Sequence, residues 1–254
     1  MSSSMFSSME MAAPDAILGL NAAFNSDENP NKINLGVGVY KDETGITPIL
    51  ECVKQAERML MESENSKSYL GIDGLPEYAK LVRQTLFGSE VDMSTMVTLQ
   101  TPGGTGALRV AGDFLKSKAG ASRIWLSNPT WANHGAVFSA AGLATDSYRY
   151  LGECGKALDF TGMMESIAAI PAGDVICLHA CCHNPTGVDP TAEQWREIAA
   201  ACAAGGVLPL IDFAYQGFAN GIREDAAALQ PFLNSGNEFM VCSSFSKNFG
   251  LYAE

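Results

Sequence analysis

The sequence is short of positive charge: 16 lysines and arginines stand against 28 aspartates and glutamates, a formal net charge of −12. That balance repels a phosphate backbone and an anionic membrane surface, so neither nucleic acid nor membrane is an expected partner. A small anionic ligand is still compatible with it, because a local cluster of amides or one arginine outweighs distant charge. Long apolar runs are missing too, and no stretch approaches the length of a membrane span. The opening Met1 to Ser8 is rich in serine and lacks the basic-then-apolar order of a signal peptide. With no arginine there to suggest a mitochondrial presequence, a cytoplasmic location is the expectation.

There is no framework of paired cysteines. The 7 cysteines are odd in number and lie mostly in apolar runs such as Val175-Ile176-Cys177-Leu178, the pattern of reduced core thiols. Internal repeats are absent, as are a P-loop and a dinucleotide fingerprint followed by an acidic ribose-binding residue. What remains is an ordinary globular composition. At 254 residues and 47% hydrophobic, the chain can bury one large α/β domain, or a large domain with an incomplete second one.

The first thirty residues, with Pro14, Pro30 and a polar stretch around Asn25 to Asn31, read as an extended arm with little core. Beyond Ser66 to Gly74, helical patterns alternate with short apolar runs. Ala107, Val110, Ala111 and Phe114 recur at i, i+3, i+4 and i+7, so a helix beginning near Gly104 is expected to bury that face. Arg123–Ser127, Val175–Cys181, Val207–Ile211 and Phe239–Ser243 read as strands, with Pro209 suggesting an edge for the third. Thr191 and Gln194 form a capping box for a helix that buries Trp195, Ile198, Ala199 and Cys202. This alternation implies a mostly parallel sheet flanked by helices, with ligands gathering at the carboxyl ends of its strands.

Polar residues cluster at those ends. Thr101-Pro102-Gly103-Gly104-Thr105-Gly106-Ala107 is a glycine-rich turn feeding a helix, which aims free amides and the positive dipole end at an anion; a turn chosen for geometry alone is the plainer reading. His179-Ala180-Cys181-Cys182-His183 places His179, Cys181 and His183 on one face, as a metal site would. The chain has no second ligand pair at zinc spacing, so core cysteines with satisfied histidines are expected and no metal is assigned. Asp212 follows an apolar strand, where a carboxylate requires a partner, either a structural ion pair or a ligand cation. Lys247, beside Ser244 and Ser246 at another strand end, is a candidate buried amine able to form a Schiff base.

Taken in order, Gly-Gly-Thr-Gly-Ala-Leu-Arg from Gly103, Ser-Asn-Pro-Thr-Trp-Ala-Asn-His from Ser127, Cys-His-Asn-Pro-Thr-Gly from Cys182, Asp-Phe-Ala-Tyr-Gln-Gly-Phe from Asp212 and Ser-Phe-Ser-Lys-Asn-Phe-Gly-Leu-Tyr from Ser244 closely resemble the class I aminotransferases, aspartate aminotransferase subfamily. The likeness runs from about Pro14 to the last residue. It implies the fold type I architecture of pyridoxal-phosphate-dependent transferases, with residues 1–40 as arm and part of a small domain and 41–254 as the cofactor-binding large domain. By resemblance, Lys247 would hold pyridoxal 5′-phosphate as a Schiff base and move the substrate proton. Asp212 would pair with the ring nitrogen, supported from behind by His134. Asn184 and Tyr215 would bond the ring's phenolic oxygen, and Trp131 would stack on the ring. Gly103, Gly104, Thr105, Ser244 and Ser246 would take the phosphate, joined by Tyr69 from the second subunit of a homodimer. Gly38, Trp131 and Asn184 would face the substrate.

The family pattern would place a phosphate-binding arginine directly after Glu254, and the two substrate-carboxylate arginines later still. A chain truncated here is therefore expected to fold poorly and to be inactive alone. The implied reaction is reversible amino transfer from L-aspartate to 2-oxoglutarate, with amino acids and 2-oxo acids as small-molecule partners. Alternatives are an aromatic amino-acid aminotransferase, a catalytically inactive interaction protein keeping the fold, and, on fold grounds alone, a nicotinamide-dependent dehydrogenase.

Overall fold

The structure is a computed structural model; it describes residues 6–11, 16–34, 36, 38–92 and 94–252. The chain divides into two units, Met1–Pro48 and Ile49–Glu254. In the first, helix α1 (Ala16–Ser26) occupies part of what the composition suggests is an extended arm. Its segment AILGLNAAFNS is rich in alanine and leucine, whose helix propensity prevails over the polar residues downstream. Those polar residues instead build turns: Asp27 Oδ1 accepts from Asn29 N at 2.9 Å, and Asn29 Oδ1 from Asn31 N at 3.0 Å.

The second unit runs α2 (Glu51–Ser63), α3 (Pro76–Phe87), α4 (Gly103–Ser117), β1 (Arg123–Asn128), α5 (Asn133–Ala140), β2 (Ala144–Arg149), α6 (Phe160–Ala169), β3 (Val175–His179), α7 (Ala192–Gly205), β4 (Leu208–Phe213), α8 (Ile222–Ala226), α9 (Gln230–Asn234) and β5 (Met240–Ser243). The five strands form one sheet, ordered β2-β1-β3-β4-β5, with every pairing parallel. All four expected strands are present. β2, whose ATDSYR sequence carries little apolar signal, is an edge strand buried only at Tyr148.

Pro209 does not make β4 an edge strand, because β4 lies between β3 and β5. Pairing with β5 begins only at Leu210↔Met240, so at Pro209 the strand is paired on one side, where β3 supplies Ile176. The missing amide is tolerated there.

Both sheet faces are covered, which is why the interior strands read as unbroken apolar runs. On one face Ile176, Leu178, Ile211 and Phe213 pack with Met163 and Ile167 of α6, Trp195 and Ile198 of α7 and Phe232 of α9. On the other, Val175, Cys177, Leu210 and Cys242 pack with Leu108 and Leu115 of α4 and Phe138 of α5. The α7 capping box forms as expected, with Thr191 and Gln194 bonding reciprocally. α4 buries a different stripe from the expected one. Leu108, Ala111, Gly112 and Leu115 face the core, whereas Val110 and Phe114 are exposed. Two overlapping apolar stripes share Ala111; the buried one carries Gly112, where an added Cβ would stand 2.9 Å from the Ala141 Cβ. That close approach of α5 to α4 selects the face.

Candidate active site

Side chains alternate along a strand, so the two core faces also sort the polar residues at the strand ends. His179 lies on the face of Val175 and Cys177, and Asp212 on the face of Leu210; the two are paired in register. Both therefore point to the side where α4 and α5 pack. α5 contributes His134, fully buried, whose Nε2 stands 3.1 Å from Asp212 Oδ2.

The histidines assign one another's protons. Asn184 N donates to His179 Nδ1 at 3.2 Å, which puts the His179 proton on Nε2, facing Thr130 Oγ1 at 3.4 Å. Thr130 Oγ1 lies 2.8 Å from His134 Nδ1, so the threonine donates there and His134 keeps its proton on Nε2 for Asp212. The third histidine, His183, stacks between His179 at 4.2 Å and Tyr150 at 3.9 Å and is held by Ser127 Oγ at 2.9 Å and Thr186 Oγ1 at 2.8 Å. The three residues weighed for a metal thus have other partners, with Cys181 donating to Tyr215 O at 3.3 Å. The ligand atoms of His134, His179 and Asp212 do lie within 4.8 Å of one another, but they are engaged in the hydrogen-bonded chain just described.

Burial holds His179 well below the usual histidine range, and neighbouring His183 and His134 add to the effect. Burial likewise brings His183 down to about 4. Between that value and the unfolded value near 6.5, the unfolded chain binds more protons than the folded one, so stability rises with pH through this window and falls on acidification. Urea unfolding should therefore show a loss on the order of 2 kcal/mol from His183 between pH 7 and pH 4.5. The slope should be shallower in His183→Gln; an unchanged slope would mean that His183 is not buried neutral.

In front of Asp212 opens a cavity of about 410 Å³, in the size range of small-ligand sites. It lies where the carboxyl ends of β3, β4 and β5 meet the start of α4. Gly103, Gly104 and Thr105 line it together with Ser244, Ser246, Trp131, Asn184, Tyr215, Lys247 and Asp212. No side chain caps α4, so its first amides are free for a ligand. Gly103 has φ 60, a conformation that suits glycine, and a Cβ at Gly104 would touch Ser244 at 3.4 Å. Lys247 Nζ sits 5.2 Å from the Tyr215 ring centroid. Asn184 Nδ2 donates to the Tyr215 hydroxyl at 3.3 Å; burial raises the Tyr215 pKa, and this hydrogen bond offsets part of that rise.

Tyr69, expected at the phosphate site of a second copy, is fully exposed in this one. Gly38 belongs to the first unit, in an exposed irregular stretch. Six residues to which the sequence assigns no cofactor or substrate role, Pro102, Leu108, His179, Cys181, Ala214 and Tyr252, also line the cavity. For His179 and Cys181 strand alternation was the available signal, and it had pointed toward a metal.

Fold and site together define an α/β protein with a glycine-rich helix start, a lysine and a carboxylate backed by histidine around one cavity at the carboxyl edge of a parallel sheet. The chain belongs to the aminotransferase class I and II family, whose model matches residues 30–254. It is 52% identical over 253 residues to the aspartate aminotransferase of Escherichia coli strain K12, covering 98% of this chain and 64% of that protein. It is 44% identical over 250 residues to the aromatic-amino-acid aminotransferase of Paracoccus denitrificans, again covering 98% and 64%. Among solved structures, the aromatic-amino-acid aminotransferase of Burkholderia pseudomallei covalently bound to pyridoxal phosphate superposes with a TM-score of 0.95 at 42% identity, over 99% of this chain and 64% of that one. The chain thus spans about 64% of the length of these relatives.

Proposed function

We propose that the protein transfers an amino group reversibly from L-aspartate to 2-oxoglutarate, giving oxaloacetate and L-glutamate, with pyridoxal 5′-phosphate bound in the 410 Å³ cavity. The observation that carries this reading is the make-up of that cavity's lining. It brings together the start of α4, which no side chain caps, and the hydroxyl residues Thr105, Ser244 and Ser246, all able to donate to a phosphate dianion. The same lining holds a single carboxylate, Asp212, suited to a protonated ring nitrogen, and Lys247.

When bound, the cofactor supplies an electron-withdrawing ring that accepts the electron pair released as a substrate Cα proton leaves. Lys247 Nζ would hold the cofactor and would serve as the base that moves the substrate Cα proton. Asp212 would pair with the protonated ring nitrogen, and His134, through Nε2–H, keeps the carboxylate oriented. Asn184 and Tyr215 would bond the phenolic oxygen, and Trp131 would pack on the ring and exclude water. The role of Gly38 toward the substrate carboxylate is part of the same proposal. So is a homodimer in which the exposed Tyr69 serves a second copy's phosphate site. Among the described residues no helix is long and apolar enough to cross a membrane, and all seven cysteines are free, which supports a reducing compartment such as the cytoplasm.

The aromatic aminotransferases among the similar proteins give a second reading, transfer from aromatic amino acids. Parallel assays of the intact enzyme with L-aspartate and L-phenylalanine as donors to 2-oxoglutarate test both. Aspartate should be favoured by about tenfold or more in kcat/KM, since the distal-carboxylate arginine that the family pattern places after Glu254 would reject a substrate lacking that group. Preference for phenylalanine would move the assignment to the aromatic enzymes. Cofactor binding without turnover of either donor would support the non-catalytic interaction protein.

A further inference from the structure

Asn184 and Tyr215 reach the cavity from the segments that follow β3 and β4, and a side chain in such a segment is only as well aimed as its backbone is held. The segment after β3 bends sharply. Cys182 has φ 49, the only non-glycine in the left-handed region among the described residues, a conformation that persists only where the surroundings over-determine it. The bend turns three successive backbone amides toward side-chain acceptors. Cys182 N donates to Asp189 Oδ2 at 2.7 Å, His183 N to Asp189 Oδ1 at 2.8 Å, and Asn184 N to His179 Nδ1 at 3.2 Å. Asn184 then places its Nδ2 at 3.3 Å from the Tyr215 hydroxyl.

We propose that Asp189 is a positioning residue, whose carboxylate clamps the strained Cys182–His183 turn and thereby aims the Asn184 amide at the Tyr215 hydroxyl and the cofactor's phenolic oxygen. Asp189 does not line the cavity, so its effect must pass through the turn. Both carboxylate oxygens are used, each by a different amide, and amide-to-carboxylate bonds are among the stronger backbone contacts. Other bonds in the segment, Gly187 N to His183 O at 2.7 Å and Val188 N to Thr186 Oγ1 at 3.2 Å, close the turn after Asn184 and leave the Cys182 bend to Asp189. An asparagine at 189 would keep one acceptor and set an NH2 against the second amide, loosening the bend without emptying the space.

The inference rests on the cofactor reading above. Its test uses the protein loaded with pyridoxal phosphate, as wild type, Asp189→Asn, Asn184→Ala and the double variant. The readouts are the pH titration of the bound cofactor's visible absorption and the cofactor affinity. Removing a donor from the phenolic oxygen makes the chromophore hold its proton to higher pH. Asp189→Asn should therefore raise the titration midpoint by roughly one pH unit, the size of one lost hydrogen bond to a charged group. It should also weaken cofactor binding several-fold. In the Asn184→Ala background the same substitution should add little, because its route is already gone. A titration unmoved by Asp189→Asn, or moved equally with and without Asn184, overturns the proposal even if thermal stability falls. Should Asp189→Asn not fold, Asp189→Glu keeps both oxygens on a longer stem and is expected to shift the midpoint in the same direction by less; an unmoved midpoint overturns the proposal there too. A wild-type protein with no Lys247-dependent cofactor band would instead sink the cofactor reading itself, an outcome distinct from a normal band that Asp189→Asn leaves in place.

Discussion

In the intact enzyme, Lys247→Ala should abolish turnover, by about 10⁴-fold or more, while leaving a folded protein. The size follows from two roles lost together: the amine that holds the cofactor covalently and the base that moves the substrate proton. Structure loses far less. Lys247 is partly exposed, and among the described residues its side chain meets the Tyr215 ring at 5.2 Å from Nζ, a cation–π interaction worth about 1 kcal/mol or less at such a site. Circular dichroism and the thermal midpoint should therefore stay near those of the wild type. Borohydride reduction of the cofactor-loaded protein should fix the cofactor to the wild-type chain at Lys247 and leave the variant unlabelled. Labelling of the variant, or residual turnover near the wild-type rate, would remove Lys247 from the chemistry and with it the basis of the functional reading.

Asp212→Asn comes next in expected effect, with kcat lowered by about 10² to 10³, the scale seen when a preorganised electrostatic partner is removed. Asparagine keeps the shape and retains an oxygen for the His134 Nε2 proton, so the fully buried histidine is not orphaned. What it loses is the negative charge that keeps a proton on the cofactor ring. Asp212→Ala removes the acceptor as well and should cost a further 1–3 kcal/mol in stability, about the penalty for an unsatisfied buried donor. The comparison separates charge from scaffold. Equal kcat for wild type and Asp212→Asn would falsify the assignment of Asp212 to the ring nitrogen.

Much of the fold could be read before any coordinates. The apolar runs of β3, β4 and β5 and the capping box at Thr191 are local signals, set by propensity and by burial of the strands on both faces. Where structure and sequence differ, the cause is also local. Sequence shows how apolar α4 is but not which of its overlapping stripes a neighbour approaches; Gly112 against Ala141 decides it. Pro209 taken alone suggests an edge strand, whereas its tolerance in β4 depends on where the partner strand begins.

The site divides in the same way. The residue types that carry chemistry, a lysine beside serines, a carboxylate ending an apolar strand and a glycine-rich turn before a helix, were fixed by sequence order, since each is a strand end or helix start defined within a few residues. Their convergence was not. Gly103 and Lys247, Trp131 and Tyr215 are far apart in the chain, and only the parallel sheet, by stacking the carboxyl ends of β3, β4 and β5 against the start of α4, brings them around one cavity. The supporting shell was still less visible. The chain from His179 through Thr130 and His134 to Asp212, and the Asp189 clamp on the Cys182 turn, are made of contacts between segments whose separation in sequence carries no local pattern, so tertiary packing alone decided them.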